Sequence, residues 1–206
     1  MEVSLRQPRV RVLLGVLLLV GVAGLVAWFL LDDDNDDERA TDPGVEAAVP
    51  GDPDRVPLDG FDEVAVRVRT AGAQELLAWC LLAAITPTAR GQGLMGVTDL
   101  QGYSGMAFVY DQDVENAFHM LNTPTPLSIA WIAEDGAVVD TADMAPCLDR
   151  DVCPSYAPDG PYRTAIEVFE GDLPDLGIIE GATVTVGGEC APRRGAEGDG
   201  VVTPRP

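Results

Sequence analysis

The run from Val12 to Leu31 constrains this chain more than any other segment. Its twenty residues carry no charge and no proline. As a helix it would rise about 30 Å, the thickness of a bilayer's hydrocarbon core. Arg6, Arg9 and Arg11 precede it, and Asp32, Asp33, Asp34, Asp36, Asp37 and Glu38 follow it. Basic flanks stay on the cytoplasmic side. The pattern therefore predicts a cytoplasmic N-terminus over residues 1–11 and a single transmembrane helix over 12–31. Everything after it is expected outside the cell membrane. A cleaved signal peptide is the rival reading, with an apolar stretch of roughly 7–15 residues and a small-residue cleavage site. Here the run is longer and ends on Trp28 and Phe29, where an interfacial anchor belongs, with no A-x-A pattern. The uncleaved signal-anchor is the reading adopted, with the lipid bilayer as partner through residues 12–31.

The chain's formal charge of −21 argues against nucleic acid as a partner, because a polyanion would be repelled. Residues 32–62 are rich in Asp, Pro and Gly and lack an apolar period, so they read as an acidic disordered linker. Asp32, Asp34 and Asp36 resemble the start of a calcium loop. The pattern fails at Asp37 and Pro43, where glycine and a bidentate glutamate are required. Residues 189–206 read as a disordered tail, which leaves 63–188 as one extracytoplasmic domain.

Four cysteines fall in the part expected outside: Cys80, Cys147, Cys153 and Cys190. An even count in an oxidising compartment implies two disulfides, with three connectivities open. Cys147 and Cys153 flank a short loop and are expected to staple it, which leaves Cys80 with Cys190. A closed zinc site needs four ligands, and His119 is the chain's single histidine, so no metal is expected.

The domain reads mostly as strands. Val64–Arg69 and Arg163–Phe169 alternate apolar and polar residues. Leu76–Ile85 is a continuous apolar run, a buried strand or a short helix. Gly105–Tyr110 and Ala117–Met120 flank an acidic segment and suggest a hairpin. Pro126–Ala133 leads through the turn Glu134-Asp135-Gly136 into Ala137–Asp140, and Ala182–Val186 closes the domain. Short helices are expected near Pro87–Met95 and Leu173–Leu176. The fold class is mainly β, a compact sandwich or barrel-like domain with one or two short helices, preceded by the transmembrane helix.

Three stretches carry a resemblance: Gly93-Leu94-Met95, Gly105-Met106-Ala107-Phe108, and the run from Phe118 to Ile129. Asp135-Gly136, Ala145-Pro146-Cys147, Cys153-Pro154-Ser155-Tyr156, Ile166-Glu167-Val168 with Gly171, and Gly177-Ile178 with Gly181 extend it in order. In these residues the chain resembles the domain of unknown function 192 family. The resemblance implies a compact, mainly β domain, often secreted or membrane-tethered in bacteria and archaea, from a family with no established activity. The chain departs from the family's usual aromatic at His119, its basic residue at Leu121 and its frequent aspartate at Ser128.

Candidate chemistry is sparse. His119 is the only imidazole, a proton shuttle if Asp140, Asp143 or Glu167 lies beside it. Asn122, Thr123 and Thr125 occupy a proline-rich loop that could offer polar groups to a ligand or satisfy its own backbone. Glu167 sits in a strand pattern and points either inward, toward Arg163 or Arg90, or to water. Gly102-Tyr103-Ser104-Gly105 lacks the spacing of a serine nucleophile elbow. The binding residues expected are therefore His119, Asn122, Thr123, Asp140 and Glu167, with no cofactor. The function expected is binding of an envelope protein or a small ligand. The alternative is a hydrolase-like enzyme using His119 with a nearby carboxylate.

Overall fold

The computed structural model describes residues 47–72, 76–148 and 152–195. The chain divides into two units, Met1–Val45 and Glu46–Pro206, and only the second contains described residues. The expected transmembrane run lies outside them. Among the described residues no helix is long and apolar enough to cross a membrane.

The domain is mainly β, as expected. Strands β1 (Asp62–Arg69), β2 (Leu77–Ala84), β3 (Met106–Val114), β5 (Leu127–Ile132), β6 (Val138–Met144), β8 (Tyr162–Phe169) and β9 (Thr183–Val186) form one sheet in the order β6-β5-β8-β3-β2-β1-β9. Two short strands, β4 (Phe118–His119) and β7 (Ser155–Tyr156), pair separately. Within the large sheet β2 and β3 run parallel, and the other neighbours run antiparallel. The parallel pair needs a crossover, and helix α1 (Pro87–Gln92) with the loop after it supplies one.

The two outer strands meet. Ala137 bridges Thr183, and the Val184 N–H donates to the Gly136 carbonyl at 2.8 Å. The sheet therefore curls until its edges touch, which protects both from pairing with another chain. Gly136 is essential to this seam. Its φ is +86°, and a Cβ there would stand 2.6 Å from the Val184 carbonyl oxygen.

Both faces of the sheet are buried. One carries Val66, Val68, Leu81, Ile166, Val168 and Val184, covered by Leu173, Leu176 and Ile178 from the β8–β9 connection. The other carries Leu82, Met106, Phe108, Leu127, Ile129 and Trp131, covered by Leu94, Leu100, Tyr103 and Met120. Two-sided burial explains why β2 reads as an unbroken apolar run and not as an alternating strand.

Four expectations are corrected. The acidic linker does not reach residue 62. Val49 is buried and bridges Cys190, and the buried Arg55 pairs with Glu63. The domain likewise continues past Gly188, where the Ala191 N–H donates to the Val49 carbonyl. The two ends hold each other, so neither composition alone nor an apolar period could reveal them. The hairpin across Asp111–Asn116 does not form. Instead β3 runs through Val114, with an irregularity against β8 between Val109 and Val114, and Arg163 neutralises Asp113 at 2.9 Å. The second helix, near Leu173–Leu176, is a chain of turns.

Both expected disulfides are present, Cys80–Cys190 and Cys147–Cys153.

Candidate functional site

Helix α1 begins where Thr86 caps it, its Oγ1 accepting the Ala89 N–H at 3.1 Å, with Pro87 at the first position. Its last turn carries Arg90, whose Nη1 donates to the Ile85 carbonyl at 2.6 Å and the Val109 carbonyl at 2.9 Å. The same guanidinium lies 4.7 Å over the Tyr110 ring. One arginine thus fastens the helix to the end of β2 and the middle of β3.

A cleft of about 760 Å³ opens between α1 and the β3–β4 region. Phe108, Tyr110 and Phe118 supply aromatic walls, and Arg90, Asp111 and His119 supply polar ones. Phe108 and Phe118 meet edge to face with ring centroids 5.0 Å apart. β4 is held in place by its partner: Phe118 pairs with Tyr156 and His119 with Ser155. The Cys147–Cys153 staple lies in the segment between β6 and β7, and Leu121 bridges Cys147. The staple therefore supports the wall that carries Phe118 and His119.

Glu167 belongs to the same cleft. Its register partners are Met106 on β3 and Ile129 on β5, both on the face that α1 covers. Cross-strand partners share a face, so the carboxyl joins an apolar row. It is 4% exposed. Among the described residues no donor reaches it, and burial pushes it up to about 8. It is the one buried ionisable residue lining the cleft.

The other expected site residues divide. His119 is exposed and lines the cleft, its Nδ1 accepting the Leu121 N–H at 3.4 Å. Thr123 is buried and also lines it. Asn122 does not line it. This residue takes φ +55° at a turn, where its carbonyl accepts the Gly96 N–H. Asp140 is elsewhere, on β6 opposite Trp131, with its Oδ1 accepting the Thr141 N–H at 2.7 Å. Arg163 pairs with Asp113 and Glu134 and leaves Glu167 alone. Asp143 accepts the Ser128 hydroxyl at 2.5 Å, and that hydroxyl in turn accepts the Gly171 N–H.

Phe108, Tyr110 and Phe118 were not singled out by sequence reasoning. Their signal was an aromatic at one end of each of two neighbouring strand patterns, indistinguishable from core. A second polar cluster, Arg55 with Glu63 and Tyr103, serves the fold. Arg55 donates to both Glu63 oxygens at 3.0 Å and to the Ala191 carbonyl at 2.7 Å, and the Tyr103 hydroxyl donates to Glu63 at 2.9 Å.

No curated protein matches the chain. Similar solved structures include the following two. One is from Sinorhizobium meliloti 1021 and is described as a proposed transcription regulator, with 23% identity and a TM-score of 0.54 over 63% of this chain and 98% of that one. The other is a protein of unknown function from Novosphingobium aromaticivorans DSM 12444, with 28% identity and a TM-score of 0.54 over 64% of this chain and 90% of that one. The family model named DUF192 (Uncharacterized ACR) matches residues 67–186, which span the sheet from β1 to β9. The chain belongs to the domain of unknown function 192 family.

Proposed function

We propose that this chain is a membrane-tethered extracytoplasmic domain that binds a small ligand in the Glu167 cleft. The observation that carries the binding reading is Glu167 itself. A buried carboxyl without a partner is costly, and folds retain such groups where they act on something. The cleft is of ligand size and combines aromatic walls with a few polar groups. The tether is supported by the Val12–Leu31 run with its arginine flank, and by two disulfides, which persist in oxidising compartments.

The second reading is a hydrolase, favoured by His119 and Glu167 lining one cleft. Binding is preferred because His119 Nδ1 is engaged by the Leu121 N–H and the Thr123 hydroxyl by the Leu121 carbonyl. Among the described residues lining the cleft, no nucleophile is therefore paired with a base.

Two measurements test the proposal. Protease added to intact cells should remove the domain, and full protection would overturn the tether. A fragment screen by ligand-observed NMR on the full chain in lipid nanodiscs should give hits that Glu167→Gln or Phe118→Ala abolishes. Hits insensitive to both variants, or no hits, would overturn the cleft.

A further inference from the structure

The cleft's lining carries a charge problem that none of the described residues solves. Among the described residues, the basic side chains on the elements around Glu167 each have another engagement. Arg90 on α1 is tied to the Ile85 and Val109 carbonyls and stacked on Tyr110. Arg163, on Glu167's own strand, is paired with Asp113 and Glu134. His119 on β4 is exposed and engaged with the Leu121 backbone. From β3 the cleft receives Tyr110 and Asp111, which add no positive charge. The residues opposite Glu167 on the two neighbouring strands, Met106 and Ile129, are apolar.

The cleft that Glu167 lines also has Phe108 and Phe118 as walls, set edge to face. A carboxyl beside aromatic rings suits an organic cation. The anion meets the charge, the ring faces attract it further, and the ring surface takes an apolar body. The chain's charge of −21 also draws cations and repels anions. We propose that the cleft takes a small organic ammonium compound, its cationic nitrogen against the Glu167 carboxylate and its apolar body against Phe108 and Phe118. This rests on the reading of the cleft as a binding site. Because the empty site holds its carboxyl protonated near neutral pH, an arriving ammonium ion takes the place of that proton, which is released to solvent.

A neutral ligand would impose the opposite requirement, since a protonated Glu167 would donate to its carbonyl or hydroxyl oxygen. The two are separable by calorimetry on the full chain in nanodiscs. Benzylammonium chloride and its neutral counterpart benzyl alcohol are the probes, between pH 6 and 8. Benzylammonium should bind, should gain close to tenfold in affinity from pH 6 to 7 and less toward pH 8, and should release close to one proton at pH 6 and fewer as pH approaches 8, read from the dependence of heat on buffer. Glu167→Gln should weaken it at least tenfold while a single cooperative melting transition shows the variant folded. Phe118→Leu should weaken both probes. Binding of benzyl alcohol alone, with affinity falling as pH rises, would overturn the ammonium ligand and leave the cleft a binding site. Benzylammonium binding without pH dependence, or equal in Glu167→Gln, would also overturn it. Failure of both probes, alongside a fragment screen that finds no ligand, would overturn the ammonium ligand and the cleft together.

Discussion

Glu167 stands directly across from Ile129 in the β8–β5 ladder, so a carboxyl occupies an apolar row of the sheet. The arrangement fixes a sign for pH dependence. The Glu167 carboxyl is raised from 4.5 to about 8 by burial, so the folded state holds a proton that the unfolded chain gives up. Its contribution to stability is complete below about pH 4.5 and is lost as pH rises to about 8. The loss is on the order of a few kcal/mol. Glu167→Gln should flatten that decline. Urea unfolding at intervals from pH 5 to 8 measures it, and parallel curves for the two proteins would refute the assignment.

Glu63 has the opposite sign. Burial opposes its charge, but hydrogen bonds from Arg55 and Tyr103 outweigh that and hold it below the usual carboxylate range. Its contribution is present above about pH 4.5 and is lost as pH falls further. Arg55→Met should destabilise the domain by about 1–3 kcal/mol, a range that allows for the partial hydration of Glu63. Adding Glu63→Gln should recover part of the loss, because the stranded carboxylate is then removed. A double-mutant cycle by thermal unfolding gives the coupling, and strict additivity would show that the pair acts as two separate groups.

Much of this fold was legible in the sequence because its signals are local. Val64–Arg69, Pro126–Ala133, the Glu134-Asp135-Gly136 turn and Arg163–Phe169 each announce themselves within a few residues, and each appears in the sheet. The misses are non-local. β7 has two residues and exists because β4 needs a partner. The segment from residue 47 to 61 looks like linker until Cys190 and Ala191 return beside Val49. Within the cleft, His119, Thr123 and Glu167 were visible by residue type. The orientation of Glu167 was not, because one carboxylate in an alternating strand can face either way until the register with Met106 and Ile129 decides it.

The seam between β6 and β9 rests on Gly136. Alanine there would be strained at φ +86° and would press on the Val184 carbonyl oxygen. Gly136→Ala should cost at least about 1 kcal/mol and should loosen the contact between the sheet's edges. Hydrogen exchange at the Val184 amide, which donates to Gly136, reads the seam directly. Unchanged protection of that amide in the variant would show that the edges are held by other contacts.

The two disulfides should differ in what they stabilise. Cys80–Cys190 closes a loop of 110 residues, and in the chain-entropy picture it contributes about 4–5 kcal/mol. Cys147–Cys153 spans six residues and contributes about 2 kcal/mol. Replacing the first pair with alanine should lower the melting temperature more. Replacing the second should cost less stability yet disturb the cleft, because Leu121 bridges Cys147 and β7 pairs with the strand carrying Phe118 and His119. The shorter bridge would then matter more for the ligand than for the fold. Melting temperatures of both double variants, set beside chemical shifts of Phe118 and His119, test this division. Cleft shifts that move only when the longer bridge is removed would reverse it.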